Sequence, residues 1–203
     1  MEHAFHLYNK FAADGLAMAL DNLLKGYFAK NQSKNKGAGT NLSDFSAFPP
    51  VIVCIGTDLA IADSLGPLTG SMLKYKMQGA NAFLYGTLTE PITAKEIKYI
   101  RFFLEETHKN CPIIVIDAAV GDKGDVGMIK LSDAPLMPGV GVKKQLGSLG
   151  DISIMGIVAE KSIENFSLLN NTRLNLVYSM AEVISDAIAS LLWNREEKIA
   201  KNA

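Results

Sequence analysis

The sequence predicts an α/β fold, a largely parallel sheet with helices on both faces, and two observations carry that expectation. Short runs of consecutive aliphatic residues, such as Val51 to Ile55 and Ile113 to Ile116, suit strands buried on both faces. Segments with apolar residues at helical spacing alternate with these runs, as expected where crossover helices connect parallel strands.

In chain order, residues from about Ala4 to Lys30 place Phe5, Leu7, Tyr8, Phe11, Leu16, Leu20, Leu23, Leu24, Tyr27 and Phe28 at helical intervals, which predicts an amphipathic helix over 1–30. Residues 31–48 are polar and contain Gly and Ser, and read as a linker closed by Pro49 and Pro50. The helix is then an appendage to a single α/β domain over 49–198, where it could pack on the sheet, cover a crevice or mediate a homo-oligomer. Within the domain, Val51 to Ile55 is the first strand. Gly66 or Pro67 to about Met77 is a helix, with Pro67 suited to its first turn. Ala82 to Tyr85 is a short strand. Thr93 with Glu96 three residues on forms a capping-box pattern, opening a helix that runs to about His108. Ile113 to Ile116, Gly127 to Leu131 and Ile152 to Val158 are further strands. A last helix spans about Asn171 to Lys198, with Leu176, Val177, Met180, Val183, Ile184, Ile188, Leu191 and Leu192 as its apolar stripe.

Composition excludes several classes. The chain has 203 residues, 48% of them apolar and 20% charged, with a formal net charge of -1. That balance provides no general attraction to nucleic acid or to an anionic membrane. No segment offers ~18 uninterrupted apolar residues, and the first residues do not form a signal peptide. Cys54 and Cys111 lie in or beside strand runs and read as small buried hydrophobes, with neither a zinc-ligand spacing nor a disulfide pattern. A reducing cytoplasm is the expected compartment.

Chemistry concentrates in two acidic residues. Asp63 follows the first strand within Ala62-Asp63-Ser64-Leu65-Gly66-Pro67, and Asp117 directly follows the aliphatic run Ile113 to Ile116. Ligands of open α/β sheets bind beyond the carboxyl ends of the strands, so both carboxylates are expected at one rim. Like charges held close raise one pKa and leave the other low. Asp63 and Asp117 are therefore the candidate catalytic residues, although Asp63 also suits an N-cap. Thr57 and Asp58, in the same loop, are candidate substrate contacts, and Asp58 equally fits an Asx turn. Pro138 to Val142 brings Gly139 and Gly141 close together, where backbone N–H groups could receive a peptide or an oxyanion. Lys143 could orient an acidic substrate, beside Lys144. Ser64 has no histidine partner and does not read as a nucleophile. Arg173, at the start of the last helix, is expected to pair with a carboxylate near the sheet. Asp122 and Asp125 read as turn residues.

The order of the motifs carries a resemblance. Gly56-Thr57-Asp58, the D-S-L-G-P segment at Asp63, Tyr85-Gly86-Thr87-Leu88, Ile116-Asp117-Ala118, Met137 to Lys144, Gly150 to Val158 and Asn171-Thr172-Arg173-Leu174 together resemble the YyaC-type sporulation proteins, a spore protease family. That family is similar to the germination protease and, more distantly, to hydrogenase-maturation endopeptidases. The resemblance covers about Val51 to Trp193. It implies a three-layer α/β/α sandwich, phosphorylase/hydrolase-like, with a largely parallel or mixed sheet. It also implies hydrolysis of a protein or peptide substrate by an aspartate pair, Asp63 and Asp117 standing where the germination protease has its two catalytic aspartates. The compartment implied is the bacterial cytoplasm, including the forespore. One departure is clear. Met137 stands where the germination protease has a histidine, and the histidines here read as solvated or partly buried surface residues, His3 and His6 in the terminal helix and His108 at a helix end opposite the strand ends. No metal and no cofactor is therefore expected, and the alternative is an inactive peptide- or partner-binding protein on the same fold.

Overall fold

In a computed structural model, residues 2–34, 48–137, 147–161 and 172–202 are described. Among them, six strands form one mixed sheet in the order β1-β5-β6-β4-β2-β3. The strands are β1 (Glu2–His6), β2 (Val51–Cys54), β3 (Phe83–Tyr85), β4 (Ile113–Gly121), β5 (Met128–Ser132) and β6 (Ile152–Glu160). The helices are α1 (Ala12–Lys34), α2 (Leu65–Lys76), α3 (Ile97–Thr107) and α4 (Leu174–Asn202). Strands β3, β2, β4 and β6 run parallel, and β5 and β1 complete the sheet by antiparallel pairing.

Alternation along the central strands divides the core in two. Ile52 and Cys54 of β2 and Ile114 and Ile116 of β4 face a layer built from α1, α2 and α4. Val51 and Val53 of β2 and Val115 of β4 face α3, whose Ile97, Ile100 and Leu104 are buried there. Side chains alternate across a strand, so aliphatic residues at every position supply both cores. The result is the expected three-layer α/β/α arrangement.

The N-terminal segment departs from expectation. Residues Glu2–His6 form a strand, paired antiparallel to β5 from Glu2 opposite Ser132 to His6 opposite Met128. His3 and Phe5 are half-buried while their neighbours are exposed, a period of two that the nearby aromatics Tyr8 and Phe11 disguise as helical spacing. The helix starts later because Asn9 begins it: the Asn9 side-chain oxygen accepts the Phe11 N–H at 3.0 Å, an Asx turn. Helix α1 is not an appendage. Leu16, Leu20 and Leu24, one turn apart, are fully buried against α4 and the sheet. It continues to Lys34, so the expected linker begins four residues later than 31–48 proposed, and its remainder falls mainly on residues outside the described ones.

Other boundaries shift less. Thr93 does not begin a helix. Its N–H and hydroxyl both donate to the Glu96 carboxylate, as half of a capping box, and α3 starts one residue further on. Helix α4 contains a stretch, Leu174–Glu197, long and apolar enough to cross a membrane, with mean hydropathy 1.4. Here its apolar stripe, Val177, Met180, Ile184, Ile188 and Leu191, is buried in the core.

Candidate functional site

The site is built by the segment that follows β2. Ile55 still bonds to the sheet, donating its N–H to Ile116 O at 2.8 Å. Gly56 then turns with φ +145°, a conformation that L residues rarely adopt. The loop returns so that Thr57 N donates to Asp63 O at 3.0 Å. A Cβ on Gly56 would lie 2.1 Å from that same Asp63 oxygen, so only glycine lets the loop fold this tightly over the strand end. Asp63 lies in a short 3-10 turn, Ala62–Ser64, that leads directly into α2. Gly66, in the first turn of α2, would place a Cβ 2.0 Å from Ile55 O. The Gly of D-S-L-G-P thus lets the helix press on the strand that carries the site.

Asp117 was expected to end its strand. Instead β4 continues to Gly121, because β6 keeps pairing with it, Asp117 lying opposite Met155. The partner that stops is β2, whose last ladder pair joins Cys54 to Ile116. Asp117 is therefore the first residue of β4 past the end of β2, on the sheet face shared with Val115. The step where β2 stops and β4 runs on is a notch in the edge of the sheet, and the Asp63 turn follows from the end of β2.

Both carboxyls are raised, chiefly by burial. Burial pushes the Asp117 carboxyl up to about 7. The 2.8 Å hydrogen bond from Ala118 N–H opposes this rise, and the charge of Asp63 adds to it. Asp63 stands at the more exposed rim, where partial desolvation raises its carboxyl above the ordinary value. Among the described residues no donor is placed against the Asp63 carboxylate, and its side chain caps neither the 3-10 turn nor α2.

The remaining candidates separate. Thr57 is in the loop, and its Oγ1 accepts the Leu59 N–H at 3.2 Å. The turn expected of Asp58 is thus made by Thr57, and Asp58 is exposed beside it. Gly139, Gly141, Lys143 and Lys144 lie outside the described residues. Ser64 is buried and donates its hydroxyl to Ile61 O at 2.7 Å, a structural role. Asp122 and Asp125 form the expected turn, and Asp125 pairs with Lys130 at 2.7 Å. Arg173 makes no ion pair among the described residues, contrary to expectation. Asp151 belongs to the Gly150 to Val158 motif but is not among the candidate site residues. Its Oδ2 accepts the Ile113 N–H at 2.9 Å and ties the starts of β4 and β6 together.

The histidines stay away from the notch. His108 is buried, not a surface residue, with its Nε2 2.7 Å from the Tyr85 hydroxyl in a cluster with Phe83 and Phe103. It precedes β4, whose first residue, Ile113, is already ~13 Å along the strand from Asp117 at ~3.3 Å per residue. His3 and His6 lie on β1 at the sheet edge, beyond β5 and β6. Among the described residues no three His, Cys, Asp or Glu side chains cluster as metal ligands. Cys54 and Cys111 are buried and their thiols are pushed up by burial, as expected of small hydrophobes. One pairing gave no signal in the sequence: Lys76 Nζ donates to Ser185 Oγ at 2.8 Å and meets Asp186 at 2.6 Å. Ser185 is fully buried in the interface between α2 and α4, so this pair serves packing.

The fold and site define an α/β sandwich with an acidic notch at the carboxyl edge of its parallel strands. The chain belongs to the family described as "Protein of unknown function (DUF1256)", whose model matches residues 38–187. It is 43% identical over 141 residues to "Uncharacterized protein YyaC" of Bacillus subtilis (strain 168), covering 70% of this chain and 68% of that one. A solved structure, the [NiFe] hydrogenase maturation protease HycI from Thermococcus kodakarensis KOD1, aligns with a TM-score of 0.46 and 20% identity. That alignment spans 73% of this chain and 95% of the other.

Proposed function

We propose that this protein is a peptidase-like hydrolase of the sporulation programme, using Asp63 and Asp117 as an acid–base pair on a protein or peptide substrate. The observation that carries the proposal is the Asp117 carboxyl, pushed up to about 7 by burial and by the charge of Asp63. Nothing in the packing of the fold requires an acid there, and a titratable group held near neutrality at a strand-end notch is a mark of function. The motif order of the sequence supports the same two residues.

The difference in burial supports a division of roles. Asp117, the more deeply held, keeps a proton near neutral pH and serves as acid to the scissile carbonyl or the leaving amine. Asp63, at the rim, is ionised and activates water as base. The proton leaves water for Asp63 as Asp117 gives its own to the departing nitrogen.

The test is incubation with candidate spore proteins, followed by mass spectrometry. Cleavage is expected with the native chain, with Asp63→Asn and Asp117→Asn each reducing it by about a hundredfold or more. Undiminished cleavage in both variants rules out the pair. A second reading, an inactive peptide- or partner-binding protein, is favoured by Met137 and by histidines remote from the notch. Binding of the same proteins without cut products would establish it.

A further inference from the structure

We propose that the outward face of α3 is a self-association surface, on which a second copy of this chain docks with its own α3 antiparallel, about a twofold axis at Phe102. The face is apolar where a surface helix is ordinarily polar. Tyr99 is 70% exposed and Phe102 64%, while Ile97, Ile100 and Leu104 bury the opposite side of the same helix. The patch continues to the edge of the sheet. Tyr99 stacks on Phe103 at 6.4 Å between ring centroids, Phe103 meets His108 at 6.0 Å, and His108 meets Phe83 at 4.4 Å. Phe83 is 42% exposed on β3, the last strand on that side of the sheet. At ~150–250 Å² per aromatic side chain, the exposed parts of Phe83, Tyr99 and Phe102 present roughly 300–400 Å², an area that on a monomer is often functional.

Charge selects the occupant and its direction. Lys98, Tyr99, Glu105 and Glu106 are all exposed, and at ~100° per residue they fall within ~60° of Phe102 around the helix. Lys98 is in the first turn of α3 and the two glutamates are in the last. Each sign thus stands at the end where the helix dipole disfavours it, so these charges do not serve the helix alone. An antiparallel second copy reverses the order. About an axis at Phe102, Lys98 of one chain comes beside Glu105 of the other, twice by symmetry, and the two Phe102 rings meet at the centre. A parallel copy would set Lys98 against Lys98. Glu106 contributes less, because Lys109 of its own chain lies 3.7 Å away. The aromatic area is about half of the ~800 Å² a side that a standard interface buries, so the dimer is a weak one that forms at roughly micromolar concentration.

Self-association does not depend on peptide hydrolysis, and neither Asp63 nor Asp117 belongs to the surface. Sedimentation velocity of the full chain, from about 1 to about 300 µM, should show a monomer–dimer equilibrium. Raising the salt about tenfold should weaken it several-fold, since its charged contacts are exposed at the rim. Phe102→Glu should abolish the dimer and leave the urea midpoint unchanged, because the native side chain is exposed. Lys98→Glu and Glu105→Lys should each weaken association about tenfold or more, by creating two like-charge contacts per dimer. The two substitutions in one chain should restore it, because every such contact again joins opposite signs. Net charge cannot mimic this pattern: Glu105→Lys makes the chain less acidic overall and is still expected to weaken the dimer. A monomer at every concentration, a dimer indifferent to Phe102→Glu, or a double variant no tighter than the single ones would overturn the proposal. The first of these outcomes would assign the face to a protein of different sequence.

Discussion

Asp117 occupies a position where the pattern of β4 calls for an aliphatic side chain. Val115, two residues earlier on the same face, is fully buried in the α3 core. A carboxyl there binds its proton more tightly in the folded chain than in the unfolded one, with about 7 against an ordinary value of 3.8. The sign follows directly. Between those values the folded state holds more protons than the unfolded state, so stability falls as pH rises through the window and is level above it. The difference, about three pH units, corresponds to at most ~4 kcal/mol, and access of water to the notch reduces it. Asp117→Asn removes the ionisation. Its stability advantage over the native chain, measured by urea unfolding, should be small near pH 4 and grow to a few kcal/mol by pH 8. A pH-independent difference would mean Asp117 does not titrate there. The proposed acid role carries a matching signature, since hydrolysis should decline as pH rises past about 7, when Asp117 loses its proton. The same scale explains D-S-L-G-P. Gly66→Ala forces a Cβ against the Ile55 carbonyl at 2.0 Å, and a backbone atom cannot swing aside as a side chain can. The substitution should destabilise by ~3 kcal/mol or more, read from a lowered urea midpoint.

At the scale of elements, the sequence reveals strands more readily than the ends of helices. β2 and β4 are legible because aliphatic residues at successive positions fit a strand with cores on both faces. β1 is not, because its two-residue alternation is only five residues long and abuts aromatics that continue a helical spacing. The site is half legible. Asp63 and Asp117 each follow an aliphatic run, but no local pattern reveals that β4 outlasts β2, the fact that opens the notch. Nor can it show that Arg173 makes no ion pair among the described residues, which depends on where α4 meets β6. Long-range ion pairs are equally hidden. Arg195 of α4 meets Asp21 of α1 at 2.7 Å, with side chains 12% and 17% exposed, across 174 residues of sequence. Burial alone would raise the Asp21 carboxyl, but Lys25 and Arg195 outweigh it and hold it below 3.8. A fully buried pair broken at one end costs 3–5 kcal/mol and an exposed one under 1. Arg195→Ala should therefore destabilise by ~2 kcal/mol at pH 7. The depressed carboxyl contributes above its unfolded value and is lost as pH falls through the folded one. The difference between native and variant chains should accordingly narrow below about pH 4. An unchanged gap at pH 3 would assign the loss to Arg195 packing instead.

Over the whole molecule, α1 decides how the N-terminal part relates to the site. A helix that merely covered the notch could be removed to expose it, as a regulatory segment is. Here Leu16, Leu20 and Leu24 have no exposure at all and belong to the same core as Ile114, Ile116 and Ile154 of the central strands. β1 adds a second attachment through its ladder with β5. Burying each leucine contributes ~1.5–3 kcal/mol, so the three together rival the 5–15 kcal/mol that stabilises a typical domain. Chain continuity is not what holds this segment in place. Cutting at an engineered protease site inserted between residues 36 and 46 should leave the two pieces associated, co-eluting in size-exclusion chromatography and separating only in denaturant. Expression of residues 48–203 alone should give an aggregated or unfolded product, and adding a peptide of residues 1–34 during refolding should restore the folded complex. If the shorter piece instead dissociates and leaves a folded remainder, α1 is a detachable cover and the core assignment fails.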